Sequence, residues 1–246
     1  MYTQSFLTLA LTALAAATPL EKRATGPTSN EFTQGGCRDV MFAFARGSTE
    51  IGNMGAICGP QTSDGLKAAF GDAAVATEGI KYDAALAPNA LPGGTDQKSA
   101  QAMADILNAM ATQCPNSVIV AGGYSQGAAV SHRSIESLAP ATQDMIAGVI
   151  LYGDTQNTQD NGQIPGFDPA KTKIICAPGD LVCKGTLTIL PPHLSYGANA
   201  AEGSAFLVQK AQAMMAAKKA KRAAEVKREV GNLAEKMVKV AVKMVA

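Results

Sequence analysis

The sequence predicts an α/β fold, a three-layer sandwich with helices on both faces of a mostly parallel sheet. Three observations carry this. Apolar runs of strand length alternate with amphipathic stretches, the links between them are short, and no internal repeat interrupts the alternation. At 246 residues the chain has one large domain's worth of residues and ample length for a core. Apolar residues at 47% and charged residues at 17% exclude a disordered chain and a coiled-coil rod.

Each element has its own signal. Asp39 to Ala45 reads as a strand, and residues 73 to 86 contain a weaker one. Residues 96 to 113 place Ala102, Ile106, Leu107 and Met110 at helical spacing. Ser117 to Ala121 reads as a buried strand and Gln126 to Leu138 as a helix. Gly148 to Tyr152 and Lys173 to Cys176 supply further strands, separated by a polar loop from Thr155 to Pro169. A last helix begins at residues 201 to 217.

Both ends differ from this body. Phe6 to Ala17 is apolar, with small residues at Ala15 to Ala17. That is the length of a signal-peptide core and too short to span a bilayer. We read 1–17 as a signal peptide and 18–23, ending at Lys22-Arg23, as a propeptide. The mature protein is then secreted and extracellular, and its cysteines meet an oxidising environment. Five cysteines leave room for two bridges and one spare thiol.

The net charge of +1 argues against a nucleic-acid partner, yet it hides an asymmetry. Residues 24–209 carry nine bases and 16 acids, whereas residues 210–246 carry ten bases and three acids. The domain is expected to end near 212. In the tail of 213–246, Val226, Val230, Leu233, Met237, Val240 and Met244 recur at spacings of 4, 3, 4, 3 and 4. The pattern fits a basic amphipathic helix. Three fates stay open for it: packing on the body or solvation, contact with a surface or membrane, and self-association. Lys221-Arg222 is a second dibasic pair at which the tail could be trimmed.

The chemistry concentrates in the middle. Gly123-Tyr124-Ser125-Gln126-Gly127 fits G-x-S-x-G, after an apolar strand and before a helix. Such a turn is too tight for side chains beside the serine and leaves its hydroxyl on a sharp bend. A serine nucleophile needs a base, and the chain has two histidines. His132 lies seven residues into the following helix, about 10 Å along its axis, and reads as a surface or packing residue. His193, in Pro-Pro-His-Leu, is the candidate base. The base needs an orienting carboxylate. Asp180 is favoured by its place 13 residues before His193 and by the order Ser-Asp-His; Asp154 is the alternative, reading otherwise as a strand-end residue. The backbone N–H of Gln126 and the loop Arg46-Gly47-Ser48-Thr49-Glu50 are candidates for the oxyanion site.

Together, Gly122 to Gly127, Ala45 to Glu50, Cys176 to Cys183 and Pro192-His193-Leu194 resemble the fungal cutinases over roughly residues 35 to 212. The resemblance implies a lidless α/β hydrolase that cleaves ester bonds in cutin, the polyester of plant cuticle, and in small esters. It implies no metal or organic cofactor. It assigns Ser125 as nucleophile, Asp180 as orienter and His193 as base, with Ser48 and Gln126 in the oxyanion hole and Asn89 supporting Ser48. It places Leu187, Ile189, Leu190 and Leu194 on an apolar rim. It implies bridges Cys37–Cys114 and Cys176–Cys183, which leaves Cys58 as a buried thiol, and the chain is expected to be monomeric. Two readings compete: an acetylxylan or other small-ester esterase of the same fold, and a catalytically silent secreted surface-binding protein.

Overall fold

The computed structural model describes residues 24–245; the signal-peptide and propeptide readings lie outside the described residues. Side chains are described through Leu233, and beyond it for Lys236 and Met237. In chain order the principal elements are α1 (Glu31–Gly35), β1 (Val40–Ala45), α2 (Gly59–Phe70), β2 (Val75–Gly79), α3 (Gln97–Gln113), β3 (Val118–Tyr124), α4 (Gln126–Glu136), α5 (Pro140–Met145), β4 (Ile146–Tyr152), β5 (Thr172–Ile175) and α6 (Ala200–Val245). Short 3₁₀ turns punctuate the loops, one of them carrying His193 (Pro191–Leu194).

The five strands form one parallel sheet in the order β2-β1-β3-β4-β5. Strands β1, β3 and β4 are buried throughout, which is why they read as continuous apolar runs rather than alternating ones. Alternation survives in where the side chains go. Met41, Ala43, Ile119, Ala121, Val149 and Leu151 pack with Met103, Leu107, Val130 and Ile135 of α3 and α4. Val40, Phe42, Phe44, Val118, Val120 and Ile150 pack with Leu66 of α2 and with Leu207 and Ala211 of α6 on the other face. The result is the three-layer sandwich.

Two helices compare directly with the sequence reading. In α3 the buried face is Ser99, Ala100, Met103, Ala104, Leu107 and Met110; Ala102 and Ile106 are only partly covered. The C-terminal helical extension is present as expected: α6 runs unbroken past residue 213, because no proline intervenes after Pro192.

The topology fixes where a ligand can sit. From β1 the chain steps to β2 on one side, then returns to β3 on the other. At such a switch point the loops leaving β1 and β3 diverge and open a crevice at the carboxyl ends of the strands. Ala45 pairs in register with Gly123, so the segment after β1 and the turn after β3 lie side by side.

Candidate active site

Ser125 stands between β3 and α4 with φ 56° and ψ −119°, a left-handed conformation that disfavours a side chain. The flanking glycines hold it there. A Cβ on Gly123 would come within 2.1 Å of the Gly127 carbonyl oxygen, and one on Gly127 within 2.0 Å of the Ala45 carbonyl oxygen. The Ser125 N–H donates to the Tyr152 carbonyl at 2.9 Å, which ties the turn to β4.

The hydroxyl faces His193. Ser125 Oγ lies 2.9 Å from His193 Nε2, and His193 Nδ1 lies 2.8 Å from Asp180 Oδ2. With Nδ1–H donating to the carboxylate, Nε2 is left as the acceptor for the serine proton. Asp180 is itself saturated: Oδ1 accepts from the Val182 N–H at 2.9 Å and Oδ2 from the Tyr196 hydroxyl at 2.6 Å. The bridge Cys176–Cys183 closes the loop that carries it. Tyr124 donates to the His193 carbonyl at 2.7 Å, so the residue before the serine also fixes the base. Ser125, His193 and Asp180 are all buried, at 8%, 2% and 2% exposure, so their interactions are little screened by solvent.

Of the oxyanion candidates, Ser48 lines the same cavity as Ser125 and His193, and Gln126 directly follows Ser125. The Gln126 N–H is among the first-turn donors that a helix leaves without an intrahelical acceptor. Its side-chain amide donates to the Ala85 carbonyl at 2.7 Å. Asn89 donates to Ser48 Oγ at 2.9 Å and also to the Leu86 carbonyl at 2.9 Å, so it both supports the serine and closes its own turn. Glu50 orders this loop: its carboxylate accepts from the N–H groups of Gly47, Ala56 and Ile57. A cavity of about 430 Å³ joins Ser48, Asn89, Ser125 and His193 with Leu187, Ile189 and Leu194. Those three leucine and isoleucine side chains are more than half exposed, as a rim requires; Leu190 is exposed nearby without lining the cavity.

The bracing roles of three residues are not legible in the sequence. Tyr196 and Tyr124 brace the reactive pair through phenol hydroxyls, and Glu50 braces the loop. A lone Tyr or a Glu after a Gly-Ser turn carries no spacing signal. His132 differs from its expected role. It is neither on the surface nor a plain packing residue but wholly buried, with Nε2 3.0 Å from Asp154 Oδ2 and Nδ1 2.7 Å from Asp160 Oδ2. Burial alone would lower its pKa, but hydrogen bonds to the two carboxylates outweigh it and raise the value to about 9. Asp160, against His132 and Arg133, stays ionised below the ordinary carboxylate range despite its partial burial. Asp154, the alternative orienter, is therefore taken up by His132.

Cys37 pairs with Cys114, and Cys58 is a buried free thiol. Burial, helped by Glu50, pushes the Cys58 pKa well up and keeps the thiol protonated and inert.

A parallel sheet with a buried serine, histidine and aspartate in hydrogen-bonded line at its switch point defines an α/β hydrolase-type site of the kind that cleaves carboxylic esters. The chain belongs to the cutinase family, whose model matches residues 36–211. It is 48% identical to the cutinase CUT2 of Pyricularia oryzae, with 84% of this chain and 97% of that relative aligned. It is 50% identical to a probable cutinase 3 of Neosartorya fischeri over 83% of this chain and 95% of the relative. Among solved structures, a Trichoderma reesei cutinase in complex with a phosphonate inhibitor matches with a TM-score of 0.64 at 36% identity, covering 71% of this chain and 77% of that one. An acetyl xylan esterase shares the fold, with a TM-score of 0.58 at 21% identity over 71% of this chain and 99% of that one. The protein is a carboxylic ester hydrolase.

Proposed function

We propose that this enzyme is secreted and hydrolyses the ester bonds of cutin and of short-chain esters through an acyl-enzyme. Ser125 Oγ attacks the ester carbonyl while its proton passes to His193 Nε2. Asp180 holds the imidazole in the accepting tautomer and stabilises the imidazolium that forms. The carbonyl oxygen, now an anion, takes hydrogen bonds from the Gln126 N–H and from the Ser48 segment. As the tetrahedral species collapses, the bond to the leaving alkoxide breaks and His193 returns the proton to it. Water, losing a proton to His193, then attacks the acyl-serine; the bond from the acyl carbon to Ser125 Oγ breaks, the carboxylic acid leaves and His193 returns the proton to Oγ.

The observation that carries this reading is the continuous line from Asp180 through His193 to Ser125, opening into a cleft with an apolar rim. Leu187, Ile189 and Leu194 suit an acyl chain better than an acetyl group alone, which favours a polyester over a sugar acetate. Secretion is supported by the leader and by two disulfide bridges.

The test is turnover of p-nitrophenyl butyrate by the mature protein and by Ser125→Ala, repeated with acetate, longer chains and suspended cutin. Turnover abolished in the variant, maximal near butyrate and extending to cutin, is expected. Turnover of acetate alone would assign the small-ester reading. Absence of any Ser125-dependent turnover, with no labelling by a serine-reactive phosphonate, would leave a surface-binding protein.

A further inference from the structure

The family match ends at residue 211, yet α6 continues to Val245. The helix starts beside the catalytic end of the sheet and runs back against β3 and β4 toward the opposite end. There Lys218 Nζ donates to the Ser117 carbonyl at 2.5 Å, immediately before β3, and Arg222 reaches the Asn116 side chain. These are the last side-chain hydrogen bonds to the body among the described residues. Every residue from Lys219 to Leu233 is exposed. At about 1.5 Å per residue, the stretch from Arg222 to Val245 extends roughly 35 Å. It leaves the molecule at the end of the sheet away from Ser125, which is one full strand, about 23 Å, distant.

The projecting segment has two chemically distinct sides. Val226, Val230, Leu233 and Met237 fall in one stripe and are each about 60% exposed. Lys221, Lys227, Arg228 and Lys236 lie off that stripe. Residues 219–246 hold eight bases and three acids. A free apolar stripe flanked by cations calls for a partner that is both apolar and anionic. The exposed large apolar side chains of the body, such as Leu86, Leu187 and Leu194, surround the cleft, where the lining supplies one carboxylate, Glu50, already bonded to three N–H groups. Among the described residues of the body, the apolar rim of a second copy thus lacks the free anionic groups that the cations call for. A bilayer rich in anionic phospholipid meets both requirements. No described helix is long and apolar enough to cross a membrane, and this one has the composition of a helix that lies in the interface.

We infer that the C-terminal extension of α6 is an anchor for anionic phospholipid surfaces, and that it holds the enzyme with its catalytic cleft facing away from the membrane. The charge supplies attraction and the stripe supplies insertion, so neither alone suffices. Because the anchor and the cleft are at opposite ends, the anchored enzyme remains fully active on soluble esters.

The test is co-sedimentation of the protein, with its C-terminal helix intact, with vesicles of phosphatidylcholine alone or mixed with phosphatidylglycerol. Binding to the mixed vesicles is expected to exceed binding to neutral ones by about tenfold or more and to fall away between about 0.1 and 0.5 M salt. The exposed-site double variant Val230→Glu/Leu233→Glu, and a chain ending at Arg222, are expected to lose it. Turnover of p-nitrophenyl butyrate should stay within about twofold in all forms, bound or free. Equal binding by the variants, with turnover suppressed on the vesicle, would place the contact at the cleft rim and overturn the inference. So would stripe-dependent dimers in sedimentation without vesicles, or no preference for anionic lipid.

Discussion

His193 and His132 are the two histidines of the chain, and both are buried against aspartate, His193 facing the elbow serine from a separate loop and His132 about two turns along the helix that follows it. What separates them is the partner of the second ring nitrogen. In His193 it faces the Ser125 hydroxyl, which can donate, so the ring can be neutral and act as a base. In His132 it faces another carboxylate, which cannot donate, so both nitrogens must carry protons. The first arrangement is poised to take a proton and the second is committed to keeping one. The committed pair links α4, which carries the elbow, to the chain leaving β4, where Thr155 lines the cleft. One histidine is placed to perform the proposed chemistry; the other holds together the wall beside it.

The largest effects should separate the two. Asp180→Asn removes the acceptor that sets the His193 tautomer, and kcat/KM for p-nitrophenyl butyrate is expected to fall by about 10³- to 10⁴-fold. His132→Gln instead leaves the buried Asp154 without its counter-charge and the partly buried Asp160 with Arg133 alone. It is expected to cost about 3–5 kcal/mol of stability in urea unfolding, with turnover per phosphonate-titrated site within about tenfold of the parent. If turnover per site in His132→Gln collapsed as it does in Asp180→Asn, the division of labour would be wrong.

The pH responses should run in opposite senses. Turnover by a histidine base rises with pH, and a flat profile across the ordinary imidazole range would remove His193 from that role. Stability should decline over a higher range. The folded-state pKa of His132 is raised to about 9, above its ordinary value, so its contribution is complete below about pH 6.5 and is lost as pH rises through 9. The shift corresponds to a loss on the order of 3 kcal/mol. Asp160, depressed in the folded state, contributes above its ordinary value near 3.8 and loses that contribution as acid protonates it. Urea midpoints measured from about pH 4 to 10 should therefore show a plateau on the acid side of neutrality and a fall above it, absent in His132→Gln.

The disulfides sharpen the same contrast. Cys37–Cys114 spans 77 residues and Cys176–Cys183 spans 7. Loop-closure entropy assigns about 4.5 kcal/mol to the long bridge and about 2.5 kcal/mol to the short one. Replacing the long bridge by alanines should lower the melting temperature most and leave turnover unchanged. Replacing the short one should lower turnover by about tenfold, because it frees the loop that presents Asp180. Equal turnover in the two variants would show that Tyr196 and the Val182 N–H hold the carboxylate without the bridge.

Much of this was legible before any coordinates. The strands announced themselves because a sheet covered on both faces makes continuous apolar runs. The elbow was legible because its glycines answer a local steric demand. His193 was found partly by scarcity, since a chain with many histidines would have hidden it. The His132 clamp was not legible: its carboxylates lie 22 and 28 residues away, the farther one in a polar loop without periodicity. The face of α3 was misplaced because five alanines in 17 residues blur the boundary between core and surface. Tyr196 was missed because a phenol that braces a carboxylate looks, in sequence, like any core tyrosine.

Asn89 offers the smallest effect and a third mode of positioning, since it acts without charge. Its amide donates to Ser48 Oγ from a turn it also closes, beside a residue that is only partly buried. A neutral hydrogen bond near solvent contributes about 1 kcal/mol to stability, so Asn89→Ala should leave the unfolding curve almost unchanged. Its catalytic effect can be larger than that, because a misoriented Ser48 weakens the oxyanion interaction at the moment charge develops. A fall in kcat of about tenfold with KM unchanged is expected, and Asn89→Asp should not rescue it, since a carboxylate accepts where the amide must donate. A rise in KM alone would instead make Asn89 part of the substrate's seat. The oxyanion site would then rest on the Gln126 N–H, and the amide of Asn89 would act on the substrate directly rather than through Ser48.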